Sequence, residues 1–466
     1  MRRHRLPLLA GVLALSLAVG AAPMADAAPG PAVDGGAWAG DPYFRHQGDT
    51  GYDALHYDIA LRYRPATRRL AAVATVRLRP AATLRSFTLD LRGLRVSQVR
   101  VDGRPAAFRQ SGQKLRITPG APLARGRAVA VRVAYAGTTG RPIDNTDSLF
   151  GWVSTPHGAL VVSEAYGAPT WYPVNDTPTD KATYSFTVTV PKGKQAIANG
   201  LPRSAPRTRA GWTTFRYAAA QPMSSYLATV AIGDFTVDRF SKGGVRYLTA
   251  VDQHLTAPQR EAAQSAIDLQ PEIVRFLAKH FGRYPFEEGG SIVSSFDVGY
   301  ALETQTRPIY PASVDQSEVA HETAHMWFGD SVTPKRWKDI WLNEGFATYA
   351  EWLWDEHAGL GTIESKVDRM RATPATDALW EGEVADPGSS TLYDRLVYDR
   401  GALTLAMLQR QVGTPTFTRI LRAWATEHRY GNASTAQFVA LSERLSGQDL
   451  GAFFRTWLHT AGKPAF

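Results

Sequence analysis

Between Ser317 and Trp354 the chain reads SEVAHETAHMWFGDSVTPKRWKDIWLNEGFATYAEWLW, and this stretch holds the residues best suited to bond chemistry. His321 and His325 stand four apart, so on a helix their imidazoles lie about 40° apart around the axis and can aim at one point. Eighteen residues then separate His325 from Glu344. Two neutral imidazoles and a carboxylate form a three-ligand set for zinc that leaves the fourth tetrahedral position open for water, as in catalytic rather than structural sites. Cobalt or manganese fits the same donors. Glu322, beside the first histidine, is placed to take a proton from that water. A lone helical glutamate is usually solvated. Glu344, however, sits among Trp327, Phe328, Trp337, Trp341, Leu342 and Phe346, where a carboxylate needs a partner.

The run HETAHMWFGDSVTPKRWKDIWLNEGFATYAE resembles the core of the gluzincin metallo-aminopeptidases of the aminopeptidase N type, whose pattern is HExxH, eighteen residues, and a glutamate within WLNEGFA. The resemblance implies that His321, His325 and Glu344 hold one zinc ion per chain and that Glu322 is the general base. The segment Val298-Gly299-Tyr300-Ala301-Leu302-Glu303-Thr304 stands where that family carries GAMEN, with Tyr300 in place of its Gly and Thr304 in place of its Asn. Glu303 is thereby implied as the carboxylate that binds the substrate's α-ammonium group, a pairing that sets the scissile bond one residue from the amino end. Tyr398-Asp399-Arg400-Gly401-Ala402 resembles the family's Y-x-K-G-A, whose tyrosine donates a hydrogen bond to the oxyanion. Arg400 for Lys keeps the charge and alters its geometry. Glu164 falls where the family's β domain reaches the active site and contacts the substrate's amine end. Thr170 to Asp176 resembles the FPCFDEP segment; taken by itself, Asn175-Asp176-Thr177-Pro178 reads as a turn whose Asp side chain bonds its own backbone.

These residues need elements to position them, and the chain supplies two textures. Arg2, Arg3, His4 and Arg5 precede an apolar run from Leu6 to Ala22 and a small-x-small site at Ala25-Asp26-Ala27, so residues 1–27 read as a secretory signal peptide. Residues 28–51, rich in Gly, Pro and Ala, read as a flexible leader. From 52 to 238, segments such as LHYDIALRY, VATVRLRP, AVAVRVAY and YSFTVTVP alternate apolar with polar between turn residues, which predicts an antiparallel β sandwich or saddle. From Thr256, a candidate N-cap, the period becomes helical, and a helix is expected from Ser389 to Gly413. The expected architecture is α+β: an N-terminal β domain, then, as the resemblance implies, a thermolysin-like, mainly helical catalytic domain over 239–466. The close from Phe453 to Phe466 resembles the end of that family's catalytic domain, so the likeness is to a two-domain version of the fold.

Without cysteine, the 466-residue chain has neither disulfides nor thiolate ligands. Its formal charge of +9 comes from scattered arginines, with no lysine-rich tract or nucleic-acid motif, so no nucleic-acid partner is expected. That charge favours weak attraction to anionic cell-envelope surfaces. No segment after the leader is long and apolar enough to span a bilayer. The expectation is a secreted zinc aminopeptidase that hydrolyses the N-terminal bond of peptides through a zinc-bound water. An endopeptidase or tripeptide-releasing peptidase with the same centre, and a non-catalytic secreted peptide-binding protein, are the alternatives.

Overall fold

The computed structural model describes Met1, residues 31–144 and residues 146–466. Apart from Met1, the expected signal peptide lies outside the described residues. The chain is α+β, a β-rich half followed by a mainly helical half.

A nine-stranded sheet dominates the first half. Its strand Tyr52–Arg64 buries alternate residues, Tyr57, Ile59, Leu61 and Tyr63, as period-two patterning requires. It pairs antiparallel with Arg69–Pro80, which pairs with Val129–Thr138. On its other side it runs parallel to Ala182–Pro191, so the sheet is mixed rather than wholly antiparallel. Two four-stranded sheets complete this half, and one of them, built from Gly151–Ser154, Ala159–Val162, Val230–Gly233 and Gln195–Ala198, leads directly into Glu164.

Residues 31–51 are not a loose leader. Val33–Asp34 pairs with Leu84–Asp90, and Asp49 is buried, accepting hydrogen bonds from Gly51 N and Thr88 N at 2.7 and 2.8 Å. Asp41 Oδ2 accepts from Trp337 N at 2.8 Å, fastening this segment to the second half of the molecule. Its Gly and Pro content reflects irregular backbone that is nonetheless packed.

The expected boundary after residue 238 falls inside the strand Phe235–Lys242. That strand pairs along its length with Val245–Asp252, which runs parallel to Glu288–Val293 and begins the second half's own four-stranded sheet. Strand texture therefore continues across the seam, and the break in architecture lies between Gly233 and Phe235. Nine helices follow among the described residues: α1 (Ala257–Ile267), α2 (Gln270–Phe281), α3 (Gln316–Ala324), α4 (Trp341–Ala358), α5 (Ile363–Ala372), α6 (Arg395–Val412), α7 (Thr414–Glu427), α8 (Thr435–Ser446) and α9 (Gly451–Leu458). Thr256 caps α1 through a capping box with Gln259. Gly413 ends α6 as expected, but α6 starts at Arg395 rather than just after Ser389. Helix α4 is buried on nearly all sides from Trp341 to Ala350, the mark of a helix wrapped by its neighbours rather than one lying on a surface. Lys181, from the β-rich half, donates from Nζ to the carbonyls of Asp330 and Ser331 at 2.8 and 2.9 Å, and burial pulls its pKa down to about 7. The two halves thus meet immediately after the HExxH helix.

Candidate active site

Helix α3 carries the first two donors. Asp315 caps it, accepting from Ser317 N and Glu318 N at 2.9 Å each, and the helix ends at His325 with its backbone still right-handed helical. His325 Nδ1 lies 3.0 Å from the carbonyl of Phe328. A carbonyl only accepts, so Nδ1 carries a proton and Nε2 is the ring nitrogen turned toward Glu344. That Nε2 and Nε2 of His321 each stand 3.5 Å from Glu344 Oε2, which α4 brings in from its first turn. Donor atoms about 2.0–2.1 Å from a tetrahedral zinc stand about 3.4 Å from each other, so the three residues present fit the ion. They also form one of the described groups whose ligand atoms all lie within 4.8 Å of one another.

These residues line a cavity of about 800 Å³ together with Glu322, Glu303, Glu164 and Tyr398, so all seven residues singled out in the sequence meet in one place. Burial, the largest influence, pushes Glu322 up to about 8 against the pull of both imidazoles; its Oε2 is buried without a hydrogen-bond partner. Burial would lower His325, but the Glu344 and Glu303 carboxylates reverse that and hold it up at about 9. Glu344 itself would be raised by burial and is instead held down to about 2 by the same imidazoles.

Glu303 and Glu164 form a second centre. Glu303 follows Leu302, which bridges to Ile309; Glu164 arrives from the other half of the molecule, just past the strand Ala159–Val162. Each has a buried Oε1 without a partner, and their carboxylate oxygens lie within 4.8 Å of each other and of Glu344. Burial raises Glu303 to about 7, and burial and then the charge of Glu303 raise Glu164 well above the carboxylate range. Two carboxyls this close, each with an unpartnered buried oxygen, offer acceptors that a cation can take up.

Tyr398, on the first turn of α6, stacks on His321 with ring centroids 5.9 Å apart and planes 17° from parallel. Its place is set where α4 and α6 cross at two glycines. A Cβ on Gly345 would lie 2.8 Å from Gly401 Cα, and one on Gly401 would lie 2.9 Å from Gly345 Cα, so the two backbones touch. Arg400 points elsewhere: fully buried, it donates from Nη2 to the carbonyls of Thr456 and Thr460 at 3.2 and 2.6 Å and ties α6 to the C-terminal helix. Tyr300 lines the cavity and donates to Leu149 O at 2.5 Å, whereas Thr304 is buried and donates within its own loop to Arg307 O. The expected turn at Asn175-Asp176 is corrected. Asp176 Oδ1 accepts from Ser225 Oγ at 2.7 Å, and Asn175 Oδ1 accepts from Asp49 N at 2.7 Å, so both side chains serve a buried network rather than their own backbone.

Sequence reasoning missed two residues here. Glu351 Oε2 stands 3.5 Å from His321 Nδ1 and orients that ring, as carboxylates behind metal-ligating histidines do. It lies seven residues past Glu344, two turns along the same face of α4, and that spacing was the available signal. Tyr393 lines the cavity with a buried hydroxyl that has no partner; nothing local in the sequence marks it.

The chain is similar to known proteins over most of its length. Residues 301–457 match the model of the peptidase family M1 domain, and residues 53–227 match that of the peptidase M1 N-terminal domain. The chain is 24% identical over 455 residues to glutamyl aminopeptidase of Mus musculus, covering 88% of this chain and 47% of that protein. It is 26% identical over 421 residues to tricorn protease-interacting factor F2 of Thermoplasma acidophilum, covering 83% and 51%. The chain therefore spans about half the length of the curated relatives it matches. A solved M1 zinc metallopeptidase from Deinococcus radiodurans superposes with a TM-score of 0.85 at 29% identity, covering 92% of this chain and 98% of that one. A variant of that protein bound to a Tyr-Ser-Ala substrate superposes with a TM-score of 0.82 at the same identity, covering 92% and 99%.

Proposed function

This chain belongs to peptidase family M1, and from that premise we propose that it is a zinc aminopeptidase releasing the first residue of peptides with a free amino end. One observation carries the reading: the facing carboxyls of Glu303 and Glu164 share an oxygen neighbourhood with Glu344, so a bound ammonium group lies one residue's reach from the zinc ligands. The relative that binds a Tyr-Ser-Ala substrate supports peptides as the substrate class.

His321, His325 and Glu344 would hold one zinc ion per chain. When bound, zinc supplies a Lewis acid for the scissile carbonyl and a water of lowered pKa. Glu322 would accept the proton of the attacking water and pass it to the leaving amine. Tyr398 donates its phenol hydrogen to the oxyanion. Glu303 and Glu164 accept hydrogen bonds from the α-ammonium and fix the register of cleavage. Glu351 keeps the His321 ring oriented.

The test is a panel of aminoacyl reporter substrates beside their N-acetylated counterparts, with chelator and with zinc restored. Cleavage confined to free-amine substrates, abolished by chelation and recovered with zinc, is the expected result. Equal cleavage of acetylated substrates would transfer the assignment to an endopeptidase, and metal binding without any turnover would transfer it to a peptide-binding protein. Export belongs to the same proposal, supported by the arginine-led apolar start and the Ala25-Asp26-Ala27 site. A chain beginning at Ala28, recovered outside the expressing cell, checks it.

A further inference from the structure

A second cavity, about 930 Å³, opens where the β-rich half meets the sheet of the helical half, walled by Trp212–Met223 on one side and by Phe235–Lys242 and Val245–Asp252 on the other. Five arginines line it, Arg203, Arg216, Arg239, Arg246 and Arg307, and no aspartate, glutamate or lysine does. Arg246 pairs with Glu287 at 2.6 Å. Among the described residues, no carboxylate lies within ion-pair distance of the other four.

Scattered surface arginines are ordinary. A fully buried one beneath four others is not. Arg307 donates from Nη1 to Gly289 O at 2.6 Å and Thr306 O at 2.5 Å, and from Nη2 to Gly200 O at 2.9 Å, but its Nε is buried without an acceptor. Glu288, buried nearby, offsets part of its charge through space without forming an ion pair; a buried guanidinium with an unmatched donor is costly unless something anionic shares the site. The positive field reaches Tyr217 in the same wall, whose phenol is pushed up by burial and pulled back down by Arg307 and Arg239. Concave walls of low dielectric focus such a field, and guanidinium forks match the oxygens of a phosphate group.

We propose that this cavity binds a small soluble oxyanion of the phosphate class carrying more than one charged group, with Arg203, Arg216 and Arg239 grasping it above the fixed charge of Arg307. The site is separate from the zinc ligands: Arg307 closes the loop that begins at Glu303, and the two cavities lie at opposite ends of that loop.

Calorimetric titration of the zinc-loaded full chain with fructose 1,6-bisphosphate, at ionic strength matched with sodium chloride, tests this. One saturable site is expected, weakened at least tenfold in the double variant Arg216→Ala/Arg239→Ala and less than threefold in Arg246→Ala, whose arginine is already paired. Both altered arginines of the double variant are exposed and do not line the cavity of the zinc donors, so unchanged hydrolysis of a reporter peptide confirms its fold. A parallel arm uses phosphatidylcholine vesicles with and without phosphatidylglycerol, because a lipid headgroup offers the same chemistry. No saturable binding of the bisphosphate, equal binding by the double variant, or binding confined to phosphatidylglycerol vesicles would each overturn the proposal.

Discussion

In the β-rich half, Asp49, Asp90, Asp176 and Asp180 are buried together; in the cavity between the halves, Glu164, Glu303, Glu322 and Glu344 converge just as closely. Their oxygens are treated in opposite ways. Asp180 accepts from Ala54 N and from Asn175 Nδ2, Asp90 from Gly48 N while facing Lys114 at 2.5 Å, and Asp49 from Gly51 N and from Thr88 N and Oγ1. Fixed protein groups have taken up almost every oxygen: Asp90 Oδ1 has the Lys114 ammonium in place of a hydrogen-bond donor, and Asp176 Oδ2 alone has neither. In the cavity, Glu164, Glu303 and Glu322 each keep a buried oxygen with no donor, and Glu344 faces the Nε2 atoms of two imidazoles. Burial and residue class are alike in the two groups. Where the donors are built in, the carboxyls hold the fold together; where they are withheld, the carboxyls keep acceptors open, as the proposed metal, proton and ammonium roles require.

Substitutions can break that contrast, beginning with the largest effect. Glu322→Gln is expected to lower turnover by about 10²–10⁴-fold, the share of a general base, with bound zinc unchanged by metal analysis and no loss of melting temperature. A variant that keeps its turnover, or that melts markedly earlier, would place Glu322 with the structural group. Asp180→Ala is the mirror image: it strands Ala54 N and Asn175 Nδ2 and is expected to cost about 1–3 kcal/mol in denaturant unfolding while activity per folded molecule is kept. The smallest effect is one of pH. Burial and then the nearby Asp90 push Asp176 up to about 8, from about 3.9 in an unfolded chain. Between those values the folded state binds the extra proton, so the stability this group contributes is complete below about pH 4 and is lost as pH rises through about 8. Subtracting the melting profile of Asp176→Asn from that of the parent chain should leave a curve falling over that window. A flat difference would mean that Asp176 is already matched by a donor.

The contrast also sets out what the sequence could disclose. His321, Glu322 and His325 were legible because one helical turn fixes their geometry, and Glu344 because its aromatic surroundings foretold burial. Glu303 and Tyr398 were singled out through the short motifs they stand in, and both line the same cavity. The structural carboxyls were not, since Asp49 meets Thr88 and Asn175 across long stretches of chain, and no local pattern encodes such a meeting. For the same reason residues 31–51 read as a leader although they are packed, and Asn175-Asp176 read as a turn. The seam at Gly233 to Phe235 was hidden because both halves approach it as strand. Helix α6 was extended too early because Leu392 keeps the apolar period alive before Asp394 begins the helix.

The crossing of α4 and α6 at Gly345 and Gly401 has a consequence for how this sequence can drift. Main chain rests on main chain there, and neither glycine has a side chain that could grow or shrink between the two helices. The gauge between the helix bearing Glu344 and the helix bearing Tyr398 is therefore set by backbone resting on backbone, not by side-chain volume. Apolar positions elsewhere on both helices can exchange bulk over many generations without retuning the reach from metal donor to phenol, so long as these two positions stay bare.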